Sequence, residues 1–300
     1  MSLTLERKQF NILNYFSESN NTPSHQGIEK LTGYSYETIE RVMKELSSAG
    51  YIVNGKITNA GIEALEPYRV KRAIFFAAGY GLRLAPITFN TPKPLVRVHG
   101  MRIIDSLIDA CLGAGINEIY IVRGYLSEQF DQLLYKYPMI KFLENPIYNE
   151  ANNISSALVA RFLLPNAYVL DADLLLYNPK VIQKYQYTSN FLGIKTNKTD
   201  DWCFKTKDGI IIEEKIGGEG ENTYKVVGIS YWNETDGHKL SQDILDVYQA
   251  PDGKKRYWEL TQLEARRENY SVEIRTCLDE DIVEIDTFHD LKNIDKTYDI

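Results

Sequence analysis

Cysteine is scarce and scattered. The three in 300 residues, Cys111, Cys203 and Cys277, form no CxxC pair, so neither a zinc knuckle nor the disulfide framework of a small secreted domain is indicated, and a reducing compartment fits. Long apolar runs are missing too. Stretches such as residues 73–78 fall far short of the ~20 residues a bilayer crossing needs, and the start, MSLTLERKQF, has no apolar core for a secretory signal. A soluble, cytoplasmic protein with no membrane partner is the expectation. There is no excess of positive charge, since 34 Lys/Arg against 41 Asp/Glu leave a net −7, which argues against a surface broadly attractive to nucleic acid or anionic lipid. Neither a Ser/His/Asp nor a Cys/His catalytic pattern stands out, and there is no internal repeat. What is present is globular in character: 44% hydrophobic and 25% charged residues, in a length suited to one large or two ordinary domains.

The texture changes near Pro67. Before it, residues 5–18, 24–32 and 35–48 carry helical periodicity, the last with Ile39, Val42, Met43 and Leu46 on one stripe and Ser35 as N-cap. YIVNGKIT then offers two β-prone runs around Asn54-Gly55, a strong hairpin signal. Helix, helix, helix, hairpin is the order of a winged helix-turn-helix, and residues 36–50 resemble the second helix of bacterial winged-helix regulators. Residues 1–66 are therefore expected to form a small domain of this kind. DNA binding is not favoured, because residues 1–70 hold seven Lys/Arg against eight Asp/Glu, and the presumed recognition helix carries Glu37, Glu40 and Glu45 beside Arg41 and Lys44. A role in regulation or protein contacts is preferred.

Residues 71–300 form the second expected domain. Strand and helix signals alternate: a strand at 71–79, a helix at 105–114, a strand at 118–122, a helix at 128–136, a strand at 141–145, a helix at 154–162 and the strand AYVLDAD. This predicts a largely parallel, three-layer α/β sheet with ligands at the carboxyl ends of its strands. Beyond Asn190, residues 191–195, 210–214 and 225–232 read as strands, and 241–249 and 258–269 as helices.

Three features carry chemistry. The first strand runs into Ala77-Ala78-Gly79-Tyr80-Gly81-Leu82-Arg83-Leu84, and Lys93 follows inside Thr91-Pro92-Lys93-Pro94. Glycines let backbone N–H groups approach phosphate oxygens, and the Arg and Lys add charge where a triphosphate would lie. The pattern is neither a Walker A nor a dinucleotide-binding fingerprint. Asp171 and Asp173 end a strand at i and i+2, facing one side, and Asp286 ends the strand-like run 281–285. Carboxylates there suit Mg²⁺, which takes one or two of them together with phosphate oxygens and water.

Taken whole, A-A-G-x-G-x-R-L-x-P-x-T-x-x-x-P-K-P-L over residues 77–95 resembles the signature of the nucleotidyltransferases that join an NTP to a phosphorylated small molecule. The resemblance implies a Rossmann-like three-layer domain with a mainly parallel sheet. It puts Ala77, Ala78, Gly79 and Gly81 around the triphosphate, Arg83 on the departing pyrophosphate, Lys93 on the α-phosphate, and Asp173 with Asp286 on Mg²⁺, leaving Asp171 to the ribose or to orienting its neighbour. Leu82 stands where many relatives carry a small polar residue.

Val122-Arg123-Gly124-Tyr125, Asn145-Pro146, Asn152-Asn153-Ile154-Ser155-Ser156, the Asp-Ala-Asp triplet and Tyr257-Trp258-Glu259 look like the cytidylyltransferases that make CDP-choline in bacteria. That likeness implies that Gly124, Tyr125, Asn153 and Ser156 flank the base of CTP, and that Lys215, after Glu213-Glu214, meets the acceptor's phosphate. Leu174 replaces an Asn often found after Asp-Ala-Asp. A quaternary ammonium is recognised by ring faces and a carboxylate, so Trp202, Tyr257, Trp258 and Glu259 are expected around the choline of phosphocholine, whereas Trp232, inside a strand, reads as core. Open alternatives are an acceptor with a primary amine (2-aminoethylphosphonate or phosphoethanolamine), a sugar 1-phosphate, and a DNA-binding regulator that only senses nucleotide.

Overall fold

The computed structural model describes residues 4–19 and 23–299. The chain divides into two compact units, Met1–Arg69 with Tyr185–Tyr187, and Val70–Lys184 with Thr188–Ile300. In the first unit, α1 (Arg7–Glu18) buries Phe10, Ile12, Leu13 and Phe16. Helix α2 (His25–Thr32) starts where Ser24 accepts from the Gly27 N–H and stops at Gly33, whose φ of 67° suits a glycine. Ser35 caps α3 (Tyr36–Ser48), which turns Ile39, Val42 and Leu46 inward. The strands β1 (Ile52–Val53) and β2 (Lys56–Ile57) pair antiparallel, and Asn54 and Gly55 both have positive φ, as this tight turn requires. A fourth helix, α4 (Asn59–Leu65), capped by Thr58, follows the hairpin and has no counterpart in the expected elements.

The first unit also recruits residues from far along the chain. Tyr185 is buried, with its hydroxyl donating to Glu66 Oε1 at 3.0 Å, and the Tyr187 ring stacks on Tyr68 at 5.3 Å between centroids. The expected boundary at residue 66 misses this return, because a tyrosine 119 residues beyond Glu66 and another two residues later give no periodic signal.

The second unit contains β3 (Arg72–Ala77), β4 (Arg97–Val98), β5 (Met101–Arg102), α5 (Ile103–Gly113), β6 (Glu118–Arg123), β7 (Lys141–Glu144), α6 (Ile154–Ala160), β8 (Ala167–Asp171), β9 (Leu174–Leu176), β10 (Asn190–Lys207), β11 (Ile210–Trp232), α7 (Glu234–Gln249), β12 (Glu273–Cys277), β13 (Ile282–Glu284) and α8 (Phe288–Ile294). Seven strands form the main sheet in the order β10-β12-β11-β8-β3-β6-β7. The centre is parallel, β8 and β6 flanking β3 and β7 following β6, while β11 runs antiparallel to β8. Alternation along β3 makes the three layers: Ala73, Phe75 and Ala77 join a core with Ile104, Leu107 and Ile108 of α5, and Ile74 and Phe76 join another with Ile154 and Ala157 of α6 and Leu240 and Ile244 of α7.

Several expected elements take another form. The segment expected as a helix at 128–136 is 3₁₀, Ser127–Tyr135, with Phe130 and Leu133 buried at the i, i+3 spacing that a three-residue turn aligns. The helix expected at 258–269 is reduced to a π-turn, Thr261–Ala265, and a 3₁₀ turn, Arg267–Asn269; Thr261 and Gln262 are fully buried there, which breaks the apolar period. The runs expected at 191–195, 210–214 and 225–232 belong to the two long strands β10 and β11. Gly217 and Gly220, at φ of 72° and 99°, sit where β11 changes course between two segments that both run antiparallel to Cys203–Lys205, residues 213–215 on one side of it and 223–225 on the other.

Replacing Tyr185 with Ala should destabilise the first unit by roughly 3–5 kcal/mol, the usual cost of deleting a buried ring. Differential scanning calorimetry would show an earlier partial transition, and an unchanged thermogram would remove Tyr185 from that core.

Candidate functional site

At the carboxyl end of β3 the chain enters a loop whose shape depends on its glycines. Gly81 has φ of 63°, and a Cβ on it would stand 2.9 Å from the Lys93 Cβ. Its carbonyl accepts from the Thr88 hydroxyl at 2.9 Å. Tyr125 braces the loop from behind: its N–H donates to the Ala78 carbonyl at 3.0 Å, its hydroxyl to the Thr88 carbonyl at 2.9 Å, and its ring lies 5.0 Å from that of Tyr80. Gly124 lets the Tyr148 ring pack close, since a Cβ would lie 2.6 Å from that ring. Tyr148 lines the cavity described below, and Gly124 and Tyr125 do not. Gly124 and Tyr125, expected beside the base, thus support the loop and the ring that border the cavity.

Beside the loop, Lys93 is inserted between two carboxylates, with Nζ 2.7 Å from Asp173 Oδ2 and 3.2 Å from Asp286 Oδ1. Arg83 donates to the other oxygen of Asp286. Burial of Lys93 works against its charge, but the two carboxylates outweigh it and hold its pKa above the ordinary lysine value. The third acid, Glu284, is not among the residues expected from the sequence. Glu284 sits two residues before Asp286, and β13 pairs with β9 so that Glu284 lies opposite Leu174 and the Ile285 N–H donates to the Asp173 carbonyl at 3.1 Å. Oxygens of Asp173, Glu284 and Asp286 lie within 4.8 Å of one another. An all-oxygen anionic set of that span fits a hard divalent cation that keeps sites for phosphate and water. Asp171, half-buried at the end of β8, lies beside them: desolvation, then the charges of Asp173, Glu259 and Glu284, push its pKa well above the carboxylate range. Gly228 on β11 makes room for it, since any side chain there would overlap the Asp171 carboxylate.

These groups open into a cavity of about 750 Å³. Ala78, Gly79, Arg83, Asn153, Ser156, Asp171, Asp173 and Asp286 line it, and a second hollow of about 370 Å³ shares Gly79, Arg83 and the three aspartates and adds Ala77, Gly81 and Lys93. The far wall comes from the folded-back strands and the segment after α7. Trp202 and Tyr257 meet edge to face at 5.6 Å, and Asp201, Glu214, Lys225 and Glu259 stand around them. Glu259 accepts from Asn153 Nδ2 at 3.3 Å, while Asn153 Oδ1 accepts from the Trp258 N–H at 2.8 Å. Burial lifts the Glu259 carboxyl to about 7 against that hydrogen bond, and burial with the nearby charges of Glu259 and Glu264 lifts Glu214 to about 8.

Two expected acceptor contacts lie elsewhere. Trp258 is core: it is 3% exposed, with Phe76, Phe191 and Trp232 rings packed on it at 5.6–6.1 Å. Its own backbone bond to Asn153 turns the ring inward and leaves the neighbouring Tyr257 on the wall. Lys215 pairs with Glu213 at 2.8 Å and does not reach the cavity. Both Lys215 and Lys225 lie opposite Cys203, on either side of it, so Lys215 occupies the outer segment, two strand spacings (about 9–10 Å) away. Lys225, 3.4 Å from Asp201, is the lysine on the wall. Only Glu284 carried a usable sequence signal, the i, i+2 spacing to Asp286. Nothing local distinguished Lys225 or Tyr148.

Trp258→Leu should therefore act on stability, costing roughly 2–4 kcal/mol of folding free energy. A melt close to that of the parent would return Trp258 to the list of ligand contacts.

The nucleotidyl transferase family matches residues 72–198. A 2-aminoethylphosphonate cytidylyltransferase of Lancefieldella rimae is 38% identical over 191 residues, covering 62% of this chain and 77% of that protein. A choline-phosphate cytidylyltransferase of Streptococcus pneumoniae is 30% identical, covering 75% of this chain and 97% of the relative. The solved structure of the CTP:phosphocholine cytidylyltransferase from Streptococcus pneumoniae superposes with a TM-score of 0.69 at 29% identity, over 76% of this chain and 99% of that one. With the glycine loop, the paired lysine and the acidic cluster at the end of a parallel sheet, these likenesses settle the assignment: the chain belongs to the nucleotidyl transferase family and is a cytidylyltransferase.

Proposed function

We propose that the protein transfers CMP from CTP to a small acceptor bearing a phosphate or phosphonate at one end and a cationic amine at the other. The observation that carries this reading is the polarity of one cavity. Gly79 and Arg83 line it where it meets the smaller hollow that holds Gly81 and Lys93, and Trp202, Tyr257, Glu214 and Glu259 line it but not that hollow. An acceptor oxygen bonds to the α-phosphorus as the bond to the pyrophosphate oxygen breaks, and pyrophosphate departs. No general base is needed for a phosphate monoester, whose second pKa of about 6 leaves it largely dianionic at neutral pH.

In this reading the N–H groups of residues 77–81 cradle the triphosphate, Asn153 and Ser156 face the cytosine, Arg83 meets the pyrophosphate, and Lys93 exchanges its carboxylate contacts for the α-phosphate. Asp173, Glu284 and Asp286 would hold Mg²⁺, which supplies further neutralisation of phosphate charge when bound. Lys225 takes the acceptor-anion role that the sequence reading assigned to Lys215. Carboxylates on the far wall disfavour a neutral sugar 1-phosphate, and an intact lysine with three acids goes beyond what a nucleotide-sensing regulator needs. The first unit, with three helices before its hairpin and α4 after it, is read as a winged helix-turn-helix module, and as one for regulation or protein contacts because α3 is acidic.

Pyrophosphate release from each common NTP, with phosphocholine, 2-aminoethylphosphonate or glucose 1-phosphate as acceptor, tests this directly. CTP with an amine-bearing acceptor is expected to dominate, and release with the sugar phosphate alone would overturn the reading. Lys93→Met should lower kcat roughly 100-fold or more while KM for CTP changes little, as for a charge that acts on the transition state. A folded variant with near-parental kcat would take Lys93 out of the chemistry.

A further inference from the structure

The amine end of the cavity holds one oxygen whose condition differs from its neighbours. Glu214 lies opposite Phe204 in the strand register and shares its inward face, and Phe204 is itself fully buried. The Oε2 atom of Glu214 is buried and has no hydrogen-bond partner among the described residues. The surrounding charged groups are already engaged: Glu259 by Asn153, Asp201 by Lys225, and Glu213 of the same strand by Lys215 on the outer face. A buried carboxylate oxygen without a donor is costly, and a structure keeps one where a partner arrives from outside. With no partner to offset desolvation, the Glu214 carboxyl is lifted to about 8, a condition that an incoming cation reverses.

Resting on the transferase reading above, we propose that Glu214 determines acceptor choice by taking a hydrogen bond from the N–H of a primary ammonium, so that aminoethyl acceptors are selected over trimethylammonium ones. A primary ammonium brings three N–H donors. A quaternary one brings charge and methyl groups, which ring faces satisfy without any acceptor. Trp202 and Tyr257 then form the wall along the ethylene chain, and Trp258, held in the core, leaves the ring set of a quaternary cage one face short.

The test keeps the phosphonate constant and varies only nitrogen. The full-length protein with CTP and Mg²⁺ is assayed by pyrophosphate release using 2-aminoethylphosphonate and its N-methyl, N,N-dimethyl and N,N,N-trimethyl forms. KM should rise along the series, reaching roughly tenfold or more for the trimethyl form, as expected for loss of a charge-assisted hydrogen bond. Glu214→Gln should flatten the series, whereas Glu213→Gln, on the outer face of the same strand, should keep its slope. A flat or inverted series in the parent overturns the proposal, as does an undiminished slope in folded Glu214→Gln. Should that variant not fold, the parent series decides alone. Pyrophosphate release with a flat series leaves the transferase reading standing and removes the inference; no release with any acceptor removes both.

Discussion

The position of one ammonium group organises this site. Lys93 sits between Asp173 and Asp286, and Arg83 holds the far oxygen of Asp286. A cation this enclosed is stable only while anions compensate its lost hydration, and the carboxylates in turn would repel one another without it. That mutual requirement joins the loop after β3, the end of β8 and the strand β13 near the end of the chain. The β9–β13 pairing and the small core of Leu84, Val96, Ile103, Leu175, Ile285 and Leu291 beneath it hold these pieces in place. Gly81 belongs to the same constraint, since any Cβ there would press on Lys93.

The same arrangement links the resting protein to its chemistry. Lys93 occupies two carboxylates that also belong to the acidic cluster with Glu284, so in the proposed reading binding of nucleotide phosphates is an exchange of one set of anions for another around a lysine already in position. The cost of placing the charge is met in the fold, which is the physical content of preorganisation. Across the cavity the logic reverses: burial raises the carboxyls of Glu214 and Glu259, Glu259 is met by Asn153 while Glu214 Oε2 has no hydrogen-bond partner among the described residues, and in the proposed reading a cationic acceptor meets that oxygen.

Much of the nucleotide half was legible in the sequence because its geometry is local or nearly so. Glycines at 79 and 81 and the basic residues at 83 and 93 lie within one short loop, and Asp171 and Asp173 share a strand end. The acceptor half was read less well. Its wall depends on β11 changing course at Gly217 and Gly220, so that its two segments flank residues 203–205 and Lys225, not Lys215, borders the cavity, and on the Asn153–Trp258 bond, which accompanies Trp258 in the core and Tyr257 on the wall.

What the sequence by itself determined was the alternating α/β order, the glycine-rich loop with its lysine, and the strand-end aspartates, all signals with a fixed period or spacing. Only the tertiary structure decided that Glu284 completes the acidic cluster, that Tyr185 and Tyr187 belong with the N-terminal unit, and that one carboxylate oxygen of Glu214 is buried without a hydrogen-bond partner among the described residues. The reason is physical. Periodicity reports how a residue sits relative to its neighbours in the chain, whereas desolvation and ion pairing depend on which distant segment packs against it.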